Sequence, residues 1–440
     1  MASWRKLILS LLASCLVSPL LLAQGKLASG PPKSSTHALL QKIREHVFRQ
    51  VEIGGNYMCV QSAERQYFQP EEPTRYGCDH HLEHPEMKTE IMTDRLRLDV
   101  AVSDNHEIYS WFGQDHFGTG AIDEIVTTGP ITSGGFGGFL RNIFLAGGIE
   151  FIYQGHVVLN GIPEDVFDYN VPLARSTYAV TTEHGPVLVA FEGSAFANSN
   201  TFELSKLIVE IPKGPADSSV CYARSLINYQ IQHISGNDVL IPSSFDFKVE
   251  GTDHTLTDSK FEYRSCHAFT GESTISYAIS DVNNPQSNTA RTIVKGPLPP
   301  HQFLSIALRT PINDQDSYTG DPVQGLLTRA VKLNKSEGVI SKGALVSGII
   351  KQLQFYPKPH PHYLVDVLFT KIVDGKAAYT TRAIHLATAG DAVRPYVSHS
   401  SARISTDPLD LHGKHFELKA GYKSEWITTT VKPTHEIEGR

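Results

Sequence analysis

The segment with the plainest capacity for chemistry is His80-His81-Leu82-Glu83-His84. It matches the pattern H-x-x-E-H. Two histidines one helical turn apart hold zinc in such a pattern, and the glutamate serves as general base. That arrangement needs a helix with an apolar side to dock it. Here the motif lies between Cys78 and Pro85, among acids and with no apolar side. No third carboxylate ligand is evident downstream, where the chain reads as strand. The reading adopted is a solvated loop beside a disulfide, and no metal ligand is assigned. The alternative is a zinc hydrolase using His80, Glu83 and His84.

Other patterns carry less. His360-Pro361-His362 is a histidine pair on a stiff loop and reads as surface. No G-x-S-x-G elbow is present, and His106, Asp115 and His116 form no triad order with any serine. The glycine-rich run over 129–148 lacks GxxxxGK[ST], and GxGxxG fails because Leu140 stands at the third glycine. It is therefore no phosphate cradle. Its apolar members, Phe136, Phe139, Phe144 and Leu145, follow helical spacing. They have two readings: a helix that plugs the open face of a sheet, or a gate over a hydrophobic ligand pocket. In the second they are the candidate ligand-binding residues, and no catalytic residue and no cofactor is expected.

The chain opens MASWRKLILSLLASCLVSPLLLAQGK. A basic start, an apolar run over 7–22 and a small residue at Ala23 read as a secretory signal peptide over 1–23. The alternative is a lipid anchor on Cys15, at Leu12-Ala13-Ser14-Cys15. Removing the leader leaves Cys59, Cys78, Cys221 and Cys266. An even count in an exported chain suggests disulfides. Local pairing, Cys59–Cys78 and Cys221–Cys266, is the most economical of three connectivities. The absence of CxxC argues against a zinc ribbon or a thioredoxin-type site.

The elements that must position these residues follow from periodicity. Leu39, Leu40, Ile43, Val47, Phe48 and Val51 form one helical stripe, capped by Ser35 or Thr36 and stopped by Gly54-Gly55-Asn56. Tyr57 to Phe68 reads as a strand, and Leu96, Leu98 and Val100 alternate with Arg95, Arg97 and Asp99. From 150 to 280 short strands and turns recur, including an Asn160-Gly161 hairpin turn. The polar, then Pro-rich stretch 282–300 reads as a linker. A second β unit spans 301–425, and a loose tail 426–440. The 440 residues are 40% hydrophobic, enough for real cores, and the net charge of −7 argues against nucleic-acid binding. No run in the mature chain is long enough to span a bilayer as a helix.

Several segments resemble a known family. They are Asn56-Tyr57-x-Cys59, Glu64-Arg65-x-Tyr67-Phe68, Ser133 to Leu140, Leu159-Asn160-Gly161 and Phe167-Asp168-Tyr169-x-Val171. Together they resemble exported bacterial proteins of acidobacterial type with a domain similar to the outer-membrane lipoprotein carrier (LolA/LppX-like). Asn200 to Leu207 resembles a strand turn of that family, although Asn198 stands where an acid is typical. The resemblance covers residues 36–281. It implies a curved antiparallel half-barrel closed by helices. Gly320-Asp321-Pro322-Val323 and Lys342 to Gly348 resemble elements of small bacterial β-barrel domains.

The resulting expectation is a mainly β protein (α+β) with a half-barrel and a smaller C-terminal β-barrel or sandwich. It is exported, periplasmic or extracellular, and non-enzymatic. It takes a lipid, acyl chain or other hydrophobic molecule in the concave face. An envelope protein is the other partner considered, and nucleic acid is not one. The alternative function is a structural or interaction module of the envelope without a pocket.

Overall fold

A computed structural model describes residues 33–52, 56–71, 77–78, 88–103, 106–114, 117, 122–182, 184–215, 218–268, 293–333, 338–386 and 408–430. The expected leader with Cys15, and His80, Glu83 and His84, lie outside the described residues.

The chain is mainly β, in two bodies with separate apolar cores. The first is built from β1 (Tyr57–Pro70), β2 (Lys88–Ser103), β3 (His106–Trp111), β4 (Glu150–Leu159), β5 (Ile162–Val171), β6 (Phe191–Asn198), β7 (Leu204–Ile211), β8 (Val220–Ile234), β9 (Asn237–Gly251) and β10 (Leu256–Ala268). All neighbours are antiparallel, in the order β3-β2-β1-β10-β9-β8-β7-β6-β5-β4. The strands that end this order, β3 and β4, are consecutive in the chain. The segment joining them must therefore cross the open side of the curved sheet, and it is the glycine-rich run. Asn160 (φ 52°) and Gly161 (φ 81°) make the tight β4–β5 turn, as their types predict.

Helix α1 (Lys33–Glu52) lies against the sheet. Lys33 and Ser34 are already helical, so Ser35 and Thr36 lie within the helix and not ahead of it. Leu40, Ile43 and Val47 are buried at helical spacing, but Phe48 is 50% exposed. The predicted stripe is thus one residue too wide.

The second body closes on itself. β11 (Phe303–Leu308), β12 (Pro322–Leu327), β13 (Leu345–Tyr356), β14 (His362–Asp374), β15 (Ala377–His385) and β16 (Lys423–Thr428) pair antiparallel in chain order, and β16 returns to β11. Closure makes it a six-stranded barrel rather than a sandwich. Two expected boundaries shift. Trp426 and Ile427 are buried in its core, so residues 426–428 are a barrel strand and not loose tail. Ile293–Lys295 pairs with Ala377–Tyr379, and Leu298 is buried in the same core, so the end of the 282–300 stretch belongs to the barrel. A polar and Pro-rich composition hid both the short edge pairing and the single anchoring leucine.

The disulfides are Cys59–Cys266 and Cys78–Cys221, which corrects the local pairing expected from spacing. Sequence economy is a poor guide here because β10 returns to pair with β1. Cys59 lies in a register shift of that pair, opposite a bulge where Ser265 has φ 54°.

Candidate functional site

The glycine-rich run is pinned from below. Glu107, on β3, accepts hydrogen bonds from the Gly134 and Phe136 backbone N–H groups at 2.8 and 2.9 Å, and from the Tyr109 hydroxyl at 2.6 Å. The Tyr229 hydroxyl donates to the Gly135 carbonyl at 2.9 Å. Gly134 has φ 95°, a conformation L side chains rarely adopt, and a Cβ there would crowd the Phe139 ring. Upstream, buried Arg65 is held by Asp94 at 2.6 Å and donates to the Thr128 and Pro130 carbonyls. Burial, followed by the charge of Glu107, raises the pKa of the Tyr109, Tyr229 and Tyr263 hydroxyls well above the ordinary tyrosine value. They stay neutral donors at any physiological pH.

The run continues into a short helix, Gly138–Leu140, and a π turn, Arg141–Leu145, whose hydrogen bond runs from Ala146 N–H to the Arg141 carbonyl. Buried Asn142 ties it down by donating to the Arg175 carbonyl at 2.8 Å and accepting from Thr177 N–H at 3.0 Å. This helical plug separates the four apolar candidates into two sets. Phe136 packs edge-on to Tyr263 at 4.9 Å, and Phe139 edge-on to Tyr178 at 4.9 Å. Both are buried in the half-barrel core. Phe144 is as buried in that core as they are, but with the partly buried Leu145 it also borders an open groove between the plug and α1.

The groove has a volume of about 970 Å³, within the roughly 300–1,000 Å³ usual for small-molecule sites. Arg44, Glu45, Phe48, Arg49 and Glu52 form its α1 wall, and residues of the segment 141–148 form the other. Behind Phe144, the Phe151 ring lies at 5.4 Å, and the Arg44 guanidinium sits over that ring at 5.2 Å. Arg141 Nη1 and Glu52 Oε1 face each other across the groove at 3.9 Å. The chemistry this arrangement allows is burial of an apolar chain against aromatic walls, with three arginines (Arg44, Arg49, Arg141) and two carboxylates (Glu45, Glu52) around it.

Sequence reasoning missed Arg44 and Glu107 and placed Phe48 in the core. Phe48 gave no separate signal, because a residue on the margin of an apolar stripe looks like the stripe. A single glutamate on a strand gives none either. The histidines of His360-Pro361-His362 do not converge: the His362 ring stacks on Tyr356 at 5.1 Å, and its Nδ1 is 2.9 Å from the His360 carbonyl. Among the described residues no cluster of three or more metal-ligating side chains occurs, and no helix is long and apolar enough to cross a membrane.

Three solved structures are similar to part of the chain. One is a LolA superfamily protein from Nitrosomonas europaea, 10% identical over 53% of this chain and 93% of that one, with a TM-score of 0.26. Another is a DUF1329 family protein from Desulfovibrio piger, 11% identical over 56% and 96%, with a TM-score of 0.23. The third is a domain named for outer-membrane lipoprotein sorting, from Vibrio parahaemolyticus, 8% identical over 53% and 94%, with a TM-score of 0.26. No protein-family model matches the chain, and no curated protein matches it. None of these comparisons bears on the acidobacterial-type family. At such low overlap they carry no assignment, and the reading of the site rests on its geometry.

Proposed function

We propose that the chain is an exported, non-enzymatic binding protein of the cell envelope, whose half-barrel body takes a hydrophobic ligand in the groove between α1 and the plug. The observation that carries this is Phe48. A phenylalanine left half exposed on a helix whose neighbouring apolar residues are buried, and facing Phe144 and Leu145 across an open groove, fits a wall waiting for an apolar chain. Each methylene buried there is worth about 0.8 kcal/mol. The leader over 1–23 and the two disulfides support export into an oxidising compartment. Two domains either side of the 282–300 stretch are part of this reading, with the second extended to Thr428, and the two separate cores support it.

The ligand site is narrower than the concave face as a whole. Plug side chains fill the interior around Phe136 and Phe139, so Phe144, Leu145 and Phe48 are the residues assigned to the ligand. That packed interior also favours a second reading, a structural module of the envelope with no ligand. A native mass spectrum of the mature protein after exposure to a fatty acid separates the two: bound mass at one-to-one stoichiometry supports the groove, and none supports the structural module.

A further inference from the structure

We propose that the groove selects an anionic amphiphile, an alkyl chain ending in a carboxylate or phosphate, and that Arg44 pairs with its headgroup. This rests on the groove reading above and adds a headgroup to it.

Arg44 and Phe48 stand one turn apart on the groove face of α1. Arg44 Nε is buried and has no hydrogen-bond partner among the described residues. The guanidinium lies over the Phe151 ring at 5.2 Å, on the aromatic wall. Burial lowers its pKa, yet a guanidinium stays charged under any physiological condition. A partly desolvated cation without a counter-charge is unfavourable, and an anion entering the groove would relieve it.

Three other half-buried or buried arginines of this chain are paired with carboxylates, and Arg95, whose Nε is likewise unpartnered, donates through its Nη atoms to the Asp314 and Gln315 carbonyls and the Tyr318 hydroxyl. Arg65 has Asp94 at 2.6 Å, Arg97 has Asp321 at 2.9 Å, and Arg224 has Glu210 at 2.7 Å. At the groove rim, Arg141 faces Glu52. Arg44 forms no ion pair among the described residues, and it is found on the wall of this apolar groove. A neutral chain would satisfy the aromatic wall and leave Arg44 as it is. An anionic chain would satisfy both.

The test is displacement of a neutral fluorescent probe, N-phenylnaphthylamine, from the full mature chain by dodecanoate, dodecyl phosphate and dodecanol. The expected result is that both anions displace the probe at concentrations about tenfold below dodecanol. Arg44→Gln should bring both anions level with dodecanol, and Arg44→Lys, which keeps the charge, should retain part of the preference. The order of the two anions tells carboxylate from phosphate. Equal displacement by all three, or a preference that survives Arg44→Gln, overturns the inference and leaves the groove reading standing. No probe uptake by the wild type overturns both.

Discussion

Buried and groove-facing phenylalanines should behave differently. Phe139 is 3% exposed, edge-on to Tyr178 and near Phe191. Its truncation to alanine removes core packing and should cost about 3–5 kcal/mol, read in a denaturant titration. Phe48→Asp should leave that titration nearly unchanged, because the side chain is already half in water. It should still lower affinity for a hydrophobic probe by at least about tenfold. Glu107 is a third case. Glu107→Ala leaves two loop N–H groups without their acceptor and should cost about 2–4 kcal/mol, a penalty for unpaired buried donors. A loss below about 0.5 kcal/mol would mean that the glycine-rich run is not held by this carboxylate.

The elements were legible wherever period alone decides them. The β1 and β2 strands, the Asn160-Gly161 turn and the helical segment after the glycine run follow from alternation, φ-tolerant residues and 3.6 spacing. Connectivity was not legible. Which cysteines meet depends on β10 returning to β1, a long-range pairing that no local spacing encodes. The plug is a different case: a helix over the open face of the sheet was one of two readings of the glycine-rich run, and the strand order, with β3 and β4 at the two ends, supplies the reason that it crosses there. Cys59–Cys266 closes a separation of 207 residues and Cys78–Cys221 one of 143. Replacing either pair by alanines should destabilise the half-barrel by about 2–5 kcal/mol. Non-reducing peptide mapping should recover these two linkages. Recovery of Cys59–Cys78 instead would contradict the β1–β10 register.

At the scale of the molecule, the two bodies meet along β2. Gln354 and Phe355 at the end of β13 pair with Asp94 and Thr93, and at a parallel bridge between Leu96 and Thr319 the Arg97 N–H donates to the Thr319 carbonyl and the Thr319 N–H to the Arg95 carbonyl. Arg95 and Arg97 both lie over the Tyr318 ring, at 4.0 and 3.9 Å, and Arg97 holds Asp321 with two hydrogen bonds. Gly320, at φ 99°, sits so close to the Arg97 carbonyl and the Trp111 ring that no Cβ fits. The barrel thus grips the strand that carries Asp94, the partner of Arg65 beneath the plug. Asp321→Ala leaves Arg97 without its carboxylate and should separate the melting of the two bodies into two calorimetric transitions. The central claim is that this assembly holds open one groove for an apolar chain. Isothermal titration of hexadecanoate into the mature protein and into Phe48→Asp tests it most directly. The account predicts one-to-one binding to the wild type and at least about tenfold weaker binding to the variant at equal stability. Absence of binding to the wild type, or equal binding to both, would contradict it.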